Sequence, residues 1–265
     1  MFKANSMDEI FRHICTDLTT EGVQVKNTHE FTNYGFELTD INNNVINIRN
    51  ISKSYLFGEL TWYLAQRNDL EFISKFSTFW NHICDDGKTC YSAYGDVVFK
   101  RHGFDQVQTI INLLKADPES RRAVINFNVP KQDIITTKDE ICTIALVFNI
   151  RDNKLNCTCI MRSNDIWTGL PYDVVFFTEL QKHIAHALNI EYGTYTHFVA
   201  SIHVYDKNFD AAVESISRPV ESHIRIDIEK LFKHVHEIEK KIEKSKSPRT
   251  DIIKLFDKYG IYWED

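Results

Sequence analysis

Three short runs rich in β-branched residues lie in the middle of the chain and constrain its fold most. They are AVINFNV (123–129), IALVFNI (144–150) and LNCTCIM (155–161). Turn-forming residues bound each run, which is typical of buried strands. A long, largely apolar helical pattern follows over residues 173–188, with Pro171 in its first turn, and then strand 194–205, opened by Gly193. Strands and helices that succeed one another without a linker predict an α/β (α+β) fold with a mixed β-sheet flanked by helices.

The flanking regions carry weaker signals of the same kind. Ser6 and Glu9 have the spacing of a capping box, so we expect a helix to open the fold. Residues 24–50, punctuated at Asn42–Asn44, are typical of strands joined by turns. The remaining predicted elements are helical stretches at 55–64, 70–83 and 104–114, an edge strand at 223–228 and a charged helix at about 229–244. The chain of 265 residues is 43% hydrophobic and can form a single domain over 1–265.

Composition excludes several classes of partner. The formal net charge is −6, so no global basic field attracts polymeric nucleic acid or an anionic membrane surface. No apolar run has the length of a signal peptide or a membrane span, and we expect a cytoplasmic protein. The six cysteines are scattered without a C-x-x-C pair, which predicts reduced thiols that mostly lie in the core.

A few residues carry possible chemistry on their own. Cys142 opens a predicted strand after an acidic turn; it is either a nucleophile, which needs positive charge nearby, or a small buried hydrophobe. Arg121–Arg122 and Arg162–Ser163 suit a phosphate or surface ion pairs. His203 and Tyr205 share one strand face. The last set, Glu179, His183 and His186, has the helical spacing of a metal-binding site on one side of a helix. That helix should pack in the core, and we expect no metal.

Five motifs in the chain resemble the thymidylate synthase family. They are ELTWYL (59–64), the segment 105–130 with its RRAVINFNVP end, the cysteine in EICTIALVFNI (140–150), MRSNDIWTGLPYD (161–173) and IHVYDKNF (202–209). Their order and spacing match the family over well over half of the chain. The resemblance implies the thymidylate synthase-like fold, a homodimer that packs through the sheet, and a reduced folate as co-substrate.

The resemblance also implies roles for the matching positions. Catalytic positions are Cys142, Glu59, Tyr94 and Asp173. Nucleotide-binding positions are Arg121, Arg122, Arg162, Ser163, Asn164, Asp173, His203 and Tyr205, with the tandem arginines reaching across from the partner subunit. Positions near the folate are Glu59, Trp80, Asp165 and Gly169. The alternatives are a first-turn helix acid for Glu59, a core tyrosine for Tyr94 and simple strand alternation for His203 and Tyr205.

Asp173 is the most informative of these residues. The family usually has an asparagine here, whose amide reads uracil, and the carboxylate resembles the deoxycytidylate hydroxymethylase branch found in phages, as do Cys142-Thr143 and the R-S-N-D run. Cytosine presents an amino donor at C4 and an acceptor at N3, so a carboxylate that shares one proton with N3 satisfies it. Facing uracil, an ionised carboxylate would set its lone pairs against the carbonyl oxygen O4. This buried mismatch of two acceptors costs about 1–3 kcal/mol of binding free energy. There are two alternatives: the amide of an asparagine can flip and pair with either base, and Asp173 can instead be a helix-capping acid.

Three departures from the synthase pattern bear on the product. Thr143 stands where synthases usually have histidine, Lys26 is the nearest match to an N-terminal phosphate-binding arginine, and the tail IYWED lacks the apolar end that synthases close over the folate. An admitted water would give hydroxymethyl rather than methyl. The sequence therefore predicts hydroxymethylation of dCMP with 5,10-methylenetetrahydrofolate; methylation of dUMP or dCMP and an inactive nucleotide- or RNA-binding relative are the rivals.

Overall fold

The central runs form strands, as their β-branched residues and bounding turns predict. The structure is a computed structural model that describes residues 1–128, 134–220 and 223–264. The strands are β1 Phe2–Ala4, β2 Val23–Val25, β3 Thr28–Leu38, β4 Val124–Asn126, β5 Thr143–Arg151, β6 Lys154–Met161, β7 Asn164–Asp165, β8 Glu191–Tyr205, β9 Ile224–Ile226 and β10 Tyr262–Glu264. The helices are α1 Met7–Thr20, α2 Lys53–Leu64, α3 Leu70–Ile73, α4 Phe79–Ile83, α5 Tyr94–Phe99, α6 Gln106–Ala116, α7 Leu170–Leu188, α8 Asp206–Ile216, α9 Ile228–Glu243 and α10 Pro248–Lys258.

One mixed sheet organises the fold. Its strand order is β1-β3-β8-β6-β5-β4, with β2 added to β3 and β7 added to β8. The long β3 and β8 pair antiparallel, whereas β6 and β7 both run parallel to β8. The parallel β6–β8 pair needs a crossover, which α7 supplies. The predicted mixed sheet flanked by helices is therefore confirmed.

Helices cover one face of the sheet and leave the other open. The apolar helix α7 packs on β6 and β8, and α1 packs on β3. Along β8, Tyr195, His197 and Val199 are buried beneath the helices, while the intervening Phe198 is 45% exposed. Ile160 on β6 is 37% exposed on the same open face. The strand period of two thus separates a core face from an apolar face that no described residue covers.

Local signals placed the start of several helices correctly. Ser6 caps α1 and accepts a hydrogen bond from the Glu9 amide at 3.3 Å, as the capping-box spacing predicts. Pro171 lies in the first turn of α7. The aromatic side chains of Trp62 and Trp80 are buried.

Other expectations need correction. Within residues 24–50 the last strand ends at Leu38, and a short 3₁₀ turn, Ile41–Asn43, capped by Asp40, follows it. The predicted helix 70–83 is split into α3, which Asp69 caps, and α4, because the intervening Phe76 packs against Gly58 of α2. The predicted edge strand at 223–228 is present but shorter, as β9, and among the described residues it pairs with β10 in a two-stranded sheet separate from the main one. Of the predicted strand 123–129, Val129 lies outside the described residues.

The cysteines match their sequence prediction. All six are free thiols; Cys142 is half-buried and the other five are buried. Among the described residues, none of the helices combines the length and apolar character needed to cross a membrane.

Candidate active site

A β-bulge at the start of β5 decides which face of the sheet the residues beside Cys142 point to. Thr143 pairs with Met161 and Ala145 pairs with Ile160, so Ile144 is an extra residue without a partner across the ladder. Thr143 is therefore fully buried on the helix side, and Ile144 is 40% exposed. Strict alternation would have put Thr143 on the face opposite to the buried Leu146.

Cys142 lies immediately before this bulge, and Arg162 holds the surrounding backbone. The guanidinium of Arg162 donates to the carbonyls of Ile141 at 3.0 Å and Glu140 at 2.9 Å, and its amide donates to the Cys142 carbonyl at 2.9 Å. Burial raises the pKa of the Cys142 thiol to about 11, although the charge of Arg162 lowers it. A pKa raised this far favours the thiol near neutral pH, so more positive charge is needed to form the thiolate.

Asp173 is the centre of a buried polar network. Its Oδ2 accepts a hydrogen bond from Asn164 Nδ2 at 2.8 Å. Burial raises the pKa of Asp173 to about 7, and hydrogen bonds from Asn164 and Tyr94 oppose this rise. Thr143 in turn donates to the Tyr94 hydroxyl at 2.9 Å. The N-cap residue of α7 is Gly169, so Asp173 is not the capping acid of the helix.

Gly169 closes one side of this network. A Cβ at this position would stand 3.0 Å from Asn164 Nδ2 and 3.2 Å from Asp173 Oδ2. Its amide donates to the Asp165 carbonyl at 3.0 Å. A side chain here would therefore crowd the Asn164–Asp173 pair, which would have to shift by a few tenths of an ångström.

Glu59 forms a second buried acidic centre on α2. Its Oε1 accepts from Tyr55 at 2.5 Å and from Tyr63 at 3.2 Å, one helical turn to either side. Trp80 Nε1 donates to the Tyr55 hydroxyl at 3.1 Å. Burial raises the pKa of Glu59 to about 8, the two phenols lower it, and the charge of Asp173 raises it. Both carboxyls can therefore exchange protons near neutral pH.

The end of β8 brings further predicted residues close to Cys142. His203 pairs with Asp165 across the β7–β8 ladder and touches Tyr205 edge to face, with ring centroids 5.3 Å apart. The charges of Asp165 and Cys142 contribute, after burial, to the raised pKa of Tyr205. The Asp165 carboxylate accepts from the Trp167 amide at 2.9 Å and from the Thr168 hydroxyl.

The candidate phosphate-binding residues are more dispersed. Arg121 is exposed, and Arg122 is 75% exposed and lies 3.6 Å from Asp117. Lys26 is exposed at the turn between β2 and β3, whose Asn27 carbonyl accepts from the Asp206 amide next to Tyr205. Ser163 is half-buried between Arg162 and Asn164. The described chain alone does not gather the tandem arginines at Cys142.

The helical set Glu179, His183 and His186 is dispersed as well. Glu179 is fully buried and its Oε1 accepts from Asn44 and Lys182 at 2.8 and 2.7 Å. His183 and His186 instead lie beside Glu229 of α9. No group of three or more metal-ligating side chains was found among the described residues.

Sequence reasoning missed Arg49. Its guanidinium lies 4.9 Å above the Trp167 ring and 5.9 Å from that of Tyr172, and burial lowers its pKa. Its Nε is buried and receives no hydrogen-bond partner from the described residues. No local pattern could have found it, because Trp167 is more than a hundred residues away in sequence. Tyr55 and Tyr63, in contrast, stand four residues before and after Glu59, a spacing visible in the sequence.

The mixed sheet, the crossing helix α7 and the cysteine at the bulge define a known fold. Thermostable thymidylate synthase A from Bacillus subtilis matches this structure with a TM-score of 0.69 at 21% identity, over 84% of this chain and 89% of that one. The family model described as thymidylate synthase matches residues 4–246. The chain belongs to the thymidylate synthase family.

Curated relatives add similarity of sequence over part of the chain. A protein named deoxyuridylate hydroxymethyltransferase from Bacillus phage SP01 is 30% identical over 178 residues, which are 62% of this chain and 46% of that protein. Its namesake from Pseudomonas phage M6 is 33% identical over 153 residues, 56% of this chain and 43% of that protein. The matched region spans about half the length of these relatives.

Proposed function

We propose that this chain is a deoxycytidylate 5-hydroxymethyltransferase that works in the cytoplasm as one catalytic domain. It would transfer a one-carbon unit from 5,10-methylenetetrahydrofolate to C5 of dCMP and release 5-hydroxymethyl-dCMP and tetrahydrofolate. The observation that carries the proposal is the buried carboxyl of Asp173, whose pKa is raised to about 7. It lies close enough to Cys142 for its charge to raise the pKa of the thiol.

The base would be read by Asp173. Near pH 7 this carboxyl carries a proton for part of the time, so it can donate to N3 of cytosine and accept from the amino group at C4. Asn164 already donates to Oδ2, so we assign the shared proton to Oδ1. Uracil would present a donor at N3 and an acceptor at O4 and would fit the ionised carboxylate poorly.

Cys142 would supply the nucleophile. Its Sγ adds to C6, the π electrons of the C5–C6 bond move to C5, and C5 becomes able to attack an electrophilic carbon. Loss of the C5 proton and elimination of Sγ at the end restore the aromatic ring. Arg162 holds the Cys142 backbone and lowers the pKa of its thiol, which favours the attacking form.

The residues near Glu59 fit a flat, anionic folate. Trp167 is half-buried and offers aromatic surface, and the buried Trp80 supports this region by donating to Tyr55. Arg49 has a buried Nε without a partner among the described residues, which a ligand acceptor would satisfy. Asp165 and Gly169 border the same region, at the start of α7. When bound, the folate supplies a carbon at the oxidation level of formaldehyde.

Glu59 would control the water that makes the product hydroxymethyl. Its Oε1 is engaged by Tyr55 and Tyr63, and among the described residues nothing hydrogen-bonds to Oε2. With a pKa of about 8, Glu59 can hold a proton at Oε2 or accept one from water at neutral pH. Tyr94 would assist at the C5 proton, because Thr143 and Asp173 fix its hydroxyl.

A homodimer would complete the phosphate site. His203 and Tyr205 would bind the deoxyribose and Arg162 and Ser163 the phosphate. Arg121 and Arg122 are exposed and would reach the phosphate of the partner subunit. The open sheet face, with Phe198 and Ile160 exposed, offers the apolar contact surface that two copies need.

Hydroxymethylation of dUMP is the second candidate, since both phage relatives carry names for that activity. The decisive assay incubates the protein with 5,10-methylenetetrahydrofolate and either dCMP or dUMP, each tritiated at C5. Tritium release gives the preferred base, and the product mass distinguishes added CH2O from added CH2. Cys142→Ser is the matched control and should release no tritium from either nucleotide.

We expect dCMP to be preferred and to gain CH2O. A preference for dUMP would overturn the role of Asp173, and gain of CH2 would overturn the role of water. Nucleotide binding without turnover of either substrate would instead support the inactive relative.

A further inference from the structure

Two of the free cysteines lie at the base of an exposed turn that no step of the proposed reaction uses. Cys84 is the residue that ends α4 and is 8% exposed, whereas Cys90 follows the turn and is fully buried. The thiol of Cys84 lies 3.2 Å from the Thr89 carbonyl, which belongs to the peptide bond between Thr89 and Cys90. The two cysteines are therefore neighbours in space, with the exposed residues 85–89 looping out between them.

Hydrogen bonds hold the turn in the shape that keeps the two cysteines together. Asp86 Oδ1 accepts from the amides of Lys88 at 2.8 Å and Thr89 at 2.6 Å. The Cys90 amide donates to the Asn68 carbonyl at 2.7 Å, which fixes the end of the turn against the segment before α3. A disulfide needs the two Cβ atoms about 3.5–4.5 Å apart, and a turn closed in this way requires little rearrangement to reach that distance.

The two thiols differ in exposure and in their electrostatic surroundings. Burial raises the pKa of both thiols, and Asp86 raises that of Cys84 further. Hydrogen bonds from the Gly87 amide and from Cys90 oppose the rise at Cys84, because they stabilise its ionised form. Cys84 is therefore the thiol that a small oxidant reaches and reacts with first, and the buried Cys90 is placed to react with its neighbour.

We propose that Cys84 and Cys90 are an oxidative modification site that closes to a disulfide when the protein meets a peroxide. The Cys84 thiolate attacks one oxygen of hydrogen peroxide, the O–O bond breaks, and the departing hydroxide takes up the thiol proton as water. The Cys90 sulfur then attacks Sγ of the resulting sulfenic acid, the S–O bond breaks, and hydroxide leaves with the Cys90 proton as a second water. Two thiols are oxidised while one peroxide is reduced to two waters.

The turn is connected to the segment that precedes Cys142. On one side of the turn, Asp85 accepts from the Lys138 amide at 3.0 Å, and on the other side Asp139 accepts from the Tyr91 amide at 2.5 Å. A disulfide bond is only about 2.0 Å long, so both ends of the turn must move as the sulfur atoms approach each other. Oxidation should therefore loosen these contacts and make Cys142 more accessible.

Peptide mapping tests the site directly, because Lys88 lies between the two cysteines. The full chain is treated with hydrogen peroxide at mildly alkaline pH, denatured with a thiol-blocking reagent and digested with trypsin without reductant. Peptides 76–88 and 89–100 should be found joined, and dithiothreitol should separate them. Cys84→Ser and Cys90→Ser should each abolish the joined pair.

Cys157 and Cys159 provide a matched control within the same digest. Both are buried on β6 and lie two residues apart on one face. Such residues are about 6.6 Å apart along a strand, which is too far for the Cβ atoms of a disulfide. Their shared peptide 155–162 should keep two thiols that can be blocked. Absence of the joined peptides 76–88 and 89–100, or equal oxidation of Cys157 and Cys159 to a disulfide, would overturn the proposed site.

Alkylation of Cys142 tests the connection between the turn and this thiol. The rate at which iodoacetamide modifies peptide 139–151 should be about twofold or more higher in the disulfide form than in the reduced form. Cys84→Ser after the same peroxide treatment controls for direct oxidation of Cys142, and its rate should not change. Equal rates in both forms of wild type would overturn the connection to Cys142. Neither measurement uses a nucleotide, so the outcome is independent of the proposed function.

Discussion

At Glu59, two phenolic hydroxyls converge on one carboxylate oxygen, and this sets where a proton can reside. Tyr55 and Tyr63 both donate to Oε1, so a proton on the carboxyl must occupy Oε2. These hydrogen bonds stabilise the ionised form and oppose the rise in pKa caused by burial and by the charge of Asp173. Removal of a phenol must therefore raise the pKa of Glu59 above about 8.

Tyr55→Phe tests this effect in the pH dependence of kcat. The limb of the profile that disappears in Glu59→Gln should move to higher pH in Tyr55→Phe. Tyr63→Phe, which removes the longer hydrogen bond, should move it in the same direction by less. A limb that stays in place or moves to lower pH would show that the phenols do not stabilise the Glu59 carboxylate.

The raised pKa of Asp173 predicts a stability cost at alkaline pH. The native carboxyl, with a pKa of about 7, binds more protons than the unfolded one with its ordinary pKa of 3.8, so its contribution to stability falls as pH rises through this window. Asp173→Asn should therefore raise the melting temperature relative to wild type at pH 8 and raise it much less at pH 4. Equal gains at both pH values would exclude ionisation as the cause.

At the scale of elements, α5 can carry Tyr94 into the site only because Gly95 follows it. A Cβ on Gly95 would overlap the backbone carbonyl of Tyr63 on α2. Gly95→Ala must push α5 away from α2, at a cost on the order of 3 kcal/mol, and should also lower kcat by displacing Tyr94. Denaturant unfolding and steady-state kinetics measure the two effects.

Gly87→Ala is the matched control for this change. A Cβ added at Gly87 would meet nothing within 4 Å, and the residue has a φ of +67°, so alanine there should cost only about 1–2 kcal/mol of backbone strain. Its kcat should equal that of wild type. Equal loss of kcat in both variants would contradict a specific contact between α5 and α2.

Elements with complete local signals could be predicted from the sequence, and those that depend on distant contacts could not. Helix α7 has Pro171 at its start and a long apolar pattern, and both were sufficient. The break between α3 and α4 depends on Phe76 packing against Gly58 of α2, which no local pattern reveals. In the site, Glu59 and Asp173 were visible through their motifs, whereas Arg49 reaches Trp167 only through the tertiary fold.

For the whole molecule, the open sheet face predicts self-association. Phe198, Ile160 and Ile144 are exposed on adjacent strands of that face. Phe198→Asp places a charge at its centre and should convert the proposed dimer to monomers in sedimentation velocity. Activity should then be lost, because the proposed contact of Arg121 and Arg122 with the partner's phosphate site needs the dimer.

Val213→Asp serves as the control for the charge itself. Val213 is 44% exposed on α8, away from the sheet. It should keep the mass and activity of wild type. Wild-type protein that sediments as a monomer while fully active would contradict the shared site.

Ile144, the bulged residue without a partner on β6, shifts the alternation of side chains between Thr143 and the rest of β5 by one position. With it, Thr143 and Leu146 point the same way although three positions apart. Deleting Ile144 would shorten the chain by one residue without removing any group that touches a ligand, yet it would turn Thr143 outward and away from Tyr94. A substitution next to Ile144 changes one side chain, whereas a deletion of one residue here exchanges the two faces of the strand.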